Sequence, residues 1–210
     1  MKLKKHCYGG KLIVFEGTDG AGKTTLINLT ESYLKGVYGE GAVITVKQPT
    51  DLSRKTKLFQ KMMYSPCHDD IDYRAVQLLT MSDRIQHSFE VIEPNLREGK
   101  IVISDRYIFT SLVNMLARGY TRERWFFSAV EHIIKPDATF LCYVDPTLAV
   151  QRIKNRPDEA TRHLDEVLLK NVAKGFLKIA KKNDFTVLDT SLTPEIPFEV
   201  IKNKLSGVIK

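Results

Sequence analysis

Long apolar runs are missing from this sequence: none reaches the roughly 18 residues that a membrane-spanning helix needs. The first ten residues, Met1-Lys-Leu-Lys-Lys-His-Cys-Tyr-Gly-Gly10, are charged and contain no apolar signal core. Export is therefore not expected, and a cytoplasmic protein is. Cysteine is scarce. Cys7, Cys67 and Cys142 are scattered and in no metal-type spacing, which suits reduced thiols better than a disulfide framework. The five histidines, His6, His68, His87, His132 and His163, form no ligand cluster and read as surface or helix-face residues. No internal repeat or low-complexity tract is visible. With 43% hydrophobic and 27% charged residues, wholesale disorder is excluded.

Acidic residues are outnumbered, 25 Asp and Glu against 32 Lys and Arg, for a net charge of +7. Such an excess fits either a basic nucleic-acid face or a site for small polyanions. Several arginines fall beside phosphate-binding signals, and no aromatic residues interleave the basic stretches. The small-polyanion reading is therefore favoured, with neither nucleic acid nor membrane as a partner.

What is present is an alternation of elements. Five short β-rich runs occupy Lys11–Glu16, Ala42–Lys47, Lys100–Asp105, Ala138–Val144 and Phe185–Asp189. Runs this apolar are buried on both faces, as in a parallel sheet covered by helices. Helical patterns lie between them near 23–38, 52–63, 73–98, 108–117, 122–134, 147–155 and 161–183. The expectation is one α/β domain over residues 1–210, a five-stranded parallel sheet with helices on both faces in three layers. Ligands of such sheets bind at the carboxyl ends of the strands. The stretch 152–165 carries Arg152, Lys154, Arg156, Arg162 and His163 around Pro157. It reads either as a solvated loop or as a short basic lid over phosphates.

Gly17-Thr18-Asp19-Gly20-Ala21-Gly22-Lys23-Thr24 fits G-x-x-x-x-G-K-[ST] between an expected strand and an expected helix, the context the motif requires. Its glycines let backbone N–H groups turn toward phosphate oxygens, and the helix adds its positive end. Lys23 would reach the β- and γ-phosphates of a nucleoside triphosphate, and the Thr24 hydroxyl would ligate Mg²⁺, with Thr25 completing the loop. Asp105 ends the third strand, where a second carboxylate organises Mg²⁺ through water in such enzymes. Arg106 follows at once, with a planar fork suited to a phosphate. A GTPase would need Asn-Lys-x-Asp after the fourth strand. Asn155-Arg-Pro-Asp158 is a near miss one helix too late, and no Asp-x-x-Gly follows the third strand.

The run from Phe15 to Thr25, with Ser104-Asp-Arg-Tyr107 and Ser111, resembles the thymidylate kinase family. Leu78-Leu-Thr-Met-Ser-Asp-Arg84-Ile-Gln-His87 is similar to that family's middle helix, and Asp145 with Arg152 to its lid entry. The likeness spans roughly residues 11–205. It implies a P-loop kinase using ATP and Mg²⁺ on a small phosphorylated acceptor, commonly as a homodimer. By the resemblance, Asp19 meets the acceptor near its sugar or phosphate and Arg84 addresses its base. Arg106 holds the acceptor phosphate, and Tyr107 and Ser111 border it. Arg152 lies against the adenine near Thr190. Transition-state charge would come from Arg152, Arg156 or Arg162, since position 20 is glycine and the loop has no arginine of its own.

Three departures fall on the acceptor side. Lys47-Gln-Pro-Thr50 stands where the family has Arg-x-Pro-Gly, so a point charge replaces a fork. Thr80 stands where the family stacks a phenylalanine on the base, a contact worth ~1–3 kcal/mol. Asn114, in Val113-Asn-Met115, replaces a tyrosine. Either Tyr73, Phe109 or Met81 supplies the missing surface and the acceptor is dTMP, the favoured reading, or the acceptor is another nucleotide or a phosphorylated metabolite that is not a nucleotide.

Overall fold

The computed structural model describes residues 1–65, 67, 69–157 and 164–209. Strands β1 (Lys11–Glu16), β2 (Val43–Lys47), β3 (Ile101–Asp105), β4 (Ala138–Tyr143) and β5 (Thr186–Asp189) form one parallel sheet in the order β2-β3-β1-β4-β5. The expected three-layer α/β fold is what the chain forms, with each strand placed within a residue of its expected bounds. β1 is central, and alternation along it explains its unbroken apolar run. Leu12 and Val14 enter the core on one face, while Ile13 and Phe15 enter the core on the other.

The helices are α1 (Lys23–Tyr38), α2 (Asp51–Arg54), α3 (Lys57–Tyr64), α4 (Tyr73–His87), α5 (Glu93–Arg97), α6 (Ile108–Ala117), α7 (Arg124–Val130), α8 (Pro146–Lys154), α9 (Glu166–Asn183) and α10 (Glu195–Ser206). The helix expected over 52–63 is two. Thr50 accepts from the Leu52 N–H and Thr56 from the Phe59 N–H, so each hydroxyl starts its own helix. The stretch 73–98 is α4 and α5 joined by a π-helical turn at Ser88–Ile92. The segment expected over 122–134 is helical only as α7. The Asp165 carboxylate accepts from Leu168 N–H and starts α9, while residues 161–163 of the expected helix lie outside the described residues.

Helix α10 has no counterpart in the sequence reading. Pro194 and Pro197 interrupt its pattern, yet both sit at its start, where proline is tolerated. Pro197, Ile201 and Leu205, four residues apart, are its buried face. One histidine also differs from expectation: the His6 side chain is buried, 3.1 Å from Asp137. Among the described residues no group of three or more His, Cys, Asp or Glu could hold a metal ion, and no helix is long and apolar enough to cross a membrane.

The order of the sheet prepares a site. From β1 the chain moves outward to β2 and returns to β3 on one side, then builds β4 and β5 on the other. A crevice forms at the carboxyl end of β1, where these directions diverge. Its rim carries Gly17 onward, Asp105 with Arg106, and the segment after Lys47.

Candidate active site

The loop after β1 is shaped by steric necessity. Gly17 has φ 144°, and a Cβ there would lie 2.4 Å from the Cys142 carbonyl of β4. Gly20 has φ 76°, and its Cβ would lie 2.4 Å from the Ala149 carbonyl of α8. Only glycine fits either position. Helix α1 begins at Lys23 with no acidic residue in its first turn, so its positive end is not offset. The Lys23 side chain curls back over the loop, donating to Gly17 O (3.1 Å) and Thr18 O (2.8 Å). Burial, and then the charge of Arg106, lower its pKa to about 8 against the pull of Asp19 and Asp105. Thr24 and Thr25 are exposed at the cavity wall.

Arg106 stands at the end of β3 in a left-handed conformation, φ 67°. Its N–H is bound by Phe15 O at 2.8 Å. Its guanidinium donates to Gly17 O (2.9 Å), Thr110 Oγ1 (3.2 Å) and Asp19 Oδ1 (2.5 Å). Burial opposes its charge, but Asp19, Asp105 and Glu16 outweigh that and raise its pKa. Asp105 is paired in register with Phe15 and Lys47. Its Oδ1 is buried without a partner among the described residues, and its Oδ2 lies 3.9 Å from Lys47 Nζ. An unpaired buried carboxylate oxygen is costly unless something is to bind it. With the Thr24 hydroxyl on the same wall, these are hard oxygen donors of the kind that suit hydrated Mg²⁺.

Glu16 was not singled out in the sequence. It is fully buried at the end of β1, and its Oε1 accepts from the N–H groups of Tyr107 and Thr110, each at 3.0 Å. Helix α6 has no capping side chain of its own, so a carboxylate from another strand does that work. Burial raises the Glu16 pKa, opposed by the Thr110 hydrogen bonds and the charge of Arg106. The only sequence signal is an acid that closes the apolar run Leu12–Phe15.

One cavity of about 420 Å³ runs from this loop to α4. Tyr73, Val76, Gln77, Thr80 and Arg84 form a buried stripe of α4 along it, at the three- and four-residue spacing of one helix face. Arg84 donates to Thr80 O (3.2 Å) and Tyr107 O (3.3 Å), and burial lowers its pKa to about 10, against the charges of Glu16 and Asp83. Thr110, Ser111 and Asn114 of α6 face the stripe, with Lys47, Pro49 and Arg54 at the side. Asn114 is tethered: it donates to Thr110 O and its Oδ1 accepts from Arg118 at 2.9 Å. The Arg118 guanidinium lies 4.1 Å above the Tyr73 ring. Asp83, also unforeseen, binds the Thr50 and Ser53 N–H groups and anchors the segment after Lys47 to α4.

Of the three candidates for the missing aromatic surface, only Tyr73 lines the cavity. Phe109 packs on Phe185 at 4.6 Å, and Met81 is buried in the core. Tyr107 is a correction. Its side chain turns into the core and its hydroxyl donates to Ile134 O, so only its backbone carbonyl, held by Arg84, stands near the site. Arg152 is on α8, bonded to Gly20 O (3.4 Å) and Thr190 O (3.0 Å), behind the loop and outside the cavity lining. Arg156 does line the cavity, with Leu164 and Asp165. Arg162 lies outside the described residues, as do residues 158–163 of the expected lid.

A family model described as thymidylate kinase matches residues 15–201. Among curated proteins, a probable thymidylate kinase of Methanococcoides burtonii is 36% identical over 191 residues, 86% of this chain and 89% of that one. A thymidylate kinase of Caldicellulosiruptor saccharolyticus is 32% identical over 208 residues, 96% and 98% of the two chains. The crystal structure of thymidylate kinase from Ehrlichia chaffeensis superposes with a TM-score of 0.68 at 25% identity, covering 94% of this chain and 99% of that one.

Proposed function

Because the chain belongs to the thymidylate kinase family, we propose that it transfers the γ-phosphoryl group of ATP to dTMP, giving dTDP and ADP. The observation that supports this most directly is the single cavity joining the phosphate loop to the α4 stripe, with Arg106 between its ends. A donor at one end and an acceptor at the other would meet at that arginine.

The residues divide the work as follows. The loop from Gly17 to Thr25 holds the ATP phosphates, and Lys23 exchanges its bonds to Gly17 O and Thr18 O for the β- and γ-oxygens. Arg152, fixed to Gly20 O and Thr190 O, borders the adenine side. Arg106, with Lys47 beside Asp105, holds the acceptor phosphate, and Asp19 keeps the guanidinium oriented. An acceptor phosphate oxygen then attacks the γ-phosphorus in line, and the bond to the β–γ bridging oxygen breaks with ADP leaving. Thr24, and Asp105 through water, would hold Mg²⁺, which would supply neutralising charge to the phosphate oxygens. Arg156 faces the transferring group from the cavity wall and supplies further positive charge. Arg84, Thr80, Ser111 and Asn114 surround the base and sugar.

The same reading carries a single catalytic domain acting in the cytoplasm as a homodimer, with small-molecule substrates and no nucleic-acid partner. The test is ADP release across dTMP, dUMP, dGMP and modified pyrimidine monophosphates. Fastest turnover with dTMP is expected; turnover with none of them would overturn the proposal.

A further inference from the structure

On α4, Gln77 sits between Tyr73 and Thr80, and all three line the cavity. Gln77 is 4% exposed. Its Oε1 has no hydrogen-bond partner among the described residues. Arg84 Nε is buried and unpartnered as well. The Arg84 side chain runs back along the helix, as its bond to Thr80 O shows. Its guanidinium therefore stands about one helical turn, ~5 Å, from the level of Gln77. The α4 face that lines the cavity thus carries both an unpaired acceptor and an unpaired donor among the described residues, about one helical turn apart.

A planar ring carrying an N–H next to a carbonyl satisfies both at once. Thymine and uracil do so: N3–H is flanked by two carbonyl oxygens. Cytosine does not, because its N3 is a lone pair and its neighbouring exocyclic group is a donor. Thr80 presents no aromatic face on which to stack a base, so polar readout must carry more of the selection than stacking does. We propose that Gln77 is a specificity-determining residue whose Oε1 accepts the N3–H of a pyrimidine imide while Arg84 donates to the adjacent carbonyl. The inference rests on the dTMP-kinase reading above. It adds the atom that separates thymine from cytosine.

The experiment measures kcat/KM for dTMP, N3-methyl-dTMP and dCMP with the wild-type protein and with Gln77→Met, which keeps length and loses the acceptor. The wild type should prefer dTMP over both others by a hundredfold or so, since a buried group left unpaired penalises the wrong ligand. Gln77→Met should lose roughly ten- to a hundredfold on dTMP and little on the other two, with KM for ATP unchanged. Wild-type turnover of N3-methyl-dTMP as fast as dTMP would overturn the role of Gln77, with no variant needed. So would Gln77→Met if it kept the full gap between substrates. If the wild type phosphorylates no pyrimidine monophosphate, the kinase reading itself falls; if dTMP is turned over and the gap survives the substitution, only Gln77 is wrong.

Discussion

Thr110 Oγ1 donates a 2.5 Å hydrogen bond to Glu16 Oε2, across 94 residues of sequence. The same hydroxyl oxygen accepts from Arg106 Nη1 at 3.2 Å. Together with the Tyr107 and Thr110 N–H bonds, this contact makes Glu16 the clasp between the phosphate loop's strand and the helix that follows Arg106. A buried carboxylate with three donors is well held, and its loss would leave those donors without partners.

Glu16→Gln keeps the shape and replaces one acceptor oxygen with an N–H₂ group facing a donor. Stability should fall by about 1–3 kcal/mol, read by urea denaturation. KM for the acceptor should rise several-fold while KM for ATP changes little, because Arg106 loses its orientation and Lys23 does not. Equal changes in both constants would point to a general structural defect instead.

Lys23 carries a pH dependence. Its pKa of about 8 in the fold lies below the ordinary lysine value of 10.5. Between those values the unfolded chain binds the proton and the folded chain has lost it. Stability from this group therefore rises with pH across that window. Phosphate oxygens need the charged ammonium, so binding of an ATP analogue should weaken above pH 8, approaching tenfold per pH unit, with a proton taken up on binding. Calorimetry in buffers of different ionisation enthalpy measures that proton. Lys23→Met should abolish the uptake and cost about 10²–10³ in kcat.

Two glycines with nearly the same backbone angle should respond differently to alanine. Gly22 has φ 73°, and its Cβ would make an ordinary 3.5 Å contact with Thr190 Cβ. Gly22→Ala should cost only the left-handed strain, about 1–2 kcal/mol. Gly20→Ala adds a clash with the fixed Ala149 carbonyl at 2.4 Å. Its cost should exceed that of Gly22→Ala, with Tm lower by a further ~2–4 °C per kcal/mol in a chain of this size. Thermal denaturation of the two variants side by side decides it.

Asp105→Asn should leave the fold intact, since its Oδ1 has no partner among the described residues. The Mg²⁺ concentration needed for half-maximal activity should rise by about 10–100-fold, the usual effect of losing a group that acts through metal-bound water. A Mg²⁺ titration of initial rates checks this; an unchanged midpoint would remove Asp105 from the metal site.

Much of the fold was legible because periodicity and glycine placement are local signals. The five strands announced themselves as short runs buried on both faces. The loop from Gly17 to Thr24 did so by spacing alone, and Asp105 with Arg106 by ending a strand. Helix α10 escaped because prolines at a helix start look like prolines that break one. The split of 52–63 escaped because Thr50 and Thr56 act through hydrogen bonds that composition does not display.

What the sequence determined by itself was the shape of the loop after β1, since that loop is built from contiguous residues whose glycines set its backbone. The acceptor end was decided only by tertiary structure. Glu16 and Thr110, Asp83 and Thr50, and Tyr73 and Arg118 meet across 33 to 94 residues of chain, and no local pattern encodes such pairs. The Tyr107 side chain, expected at the site, packs in the core, and Gln77, which no sequence signal marks, lines the cavity. In both cases the deciding fact was which way a side chain points once the sheet has folded, and that is set by packing between elements.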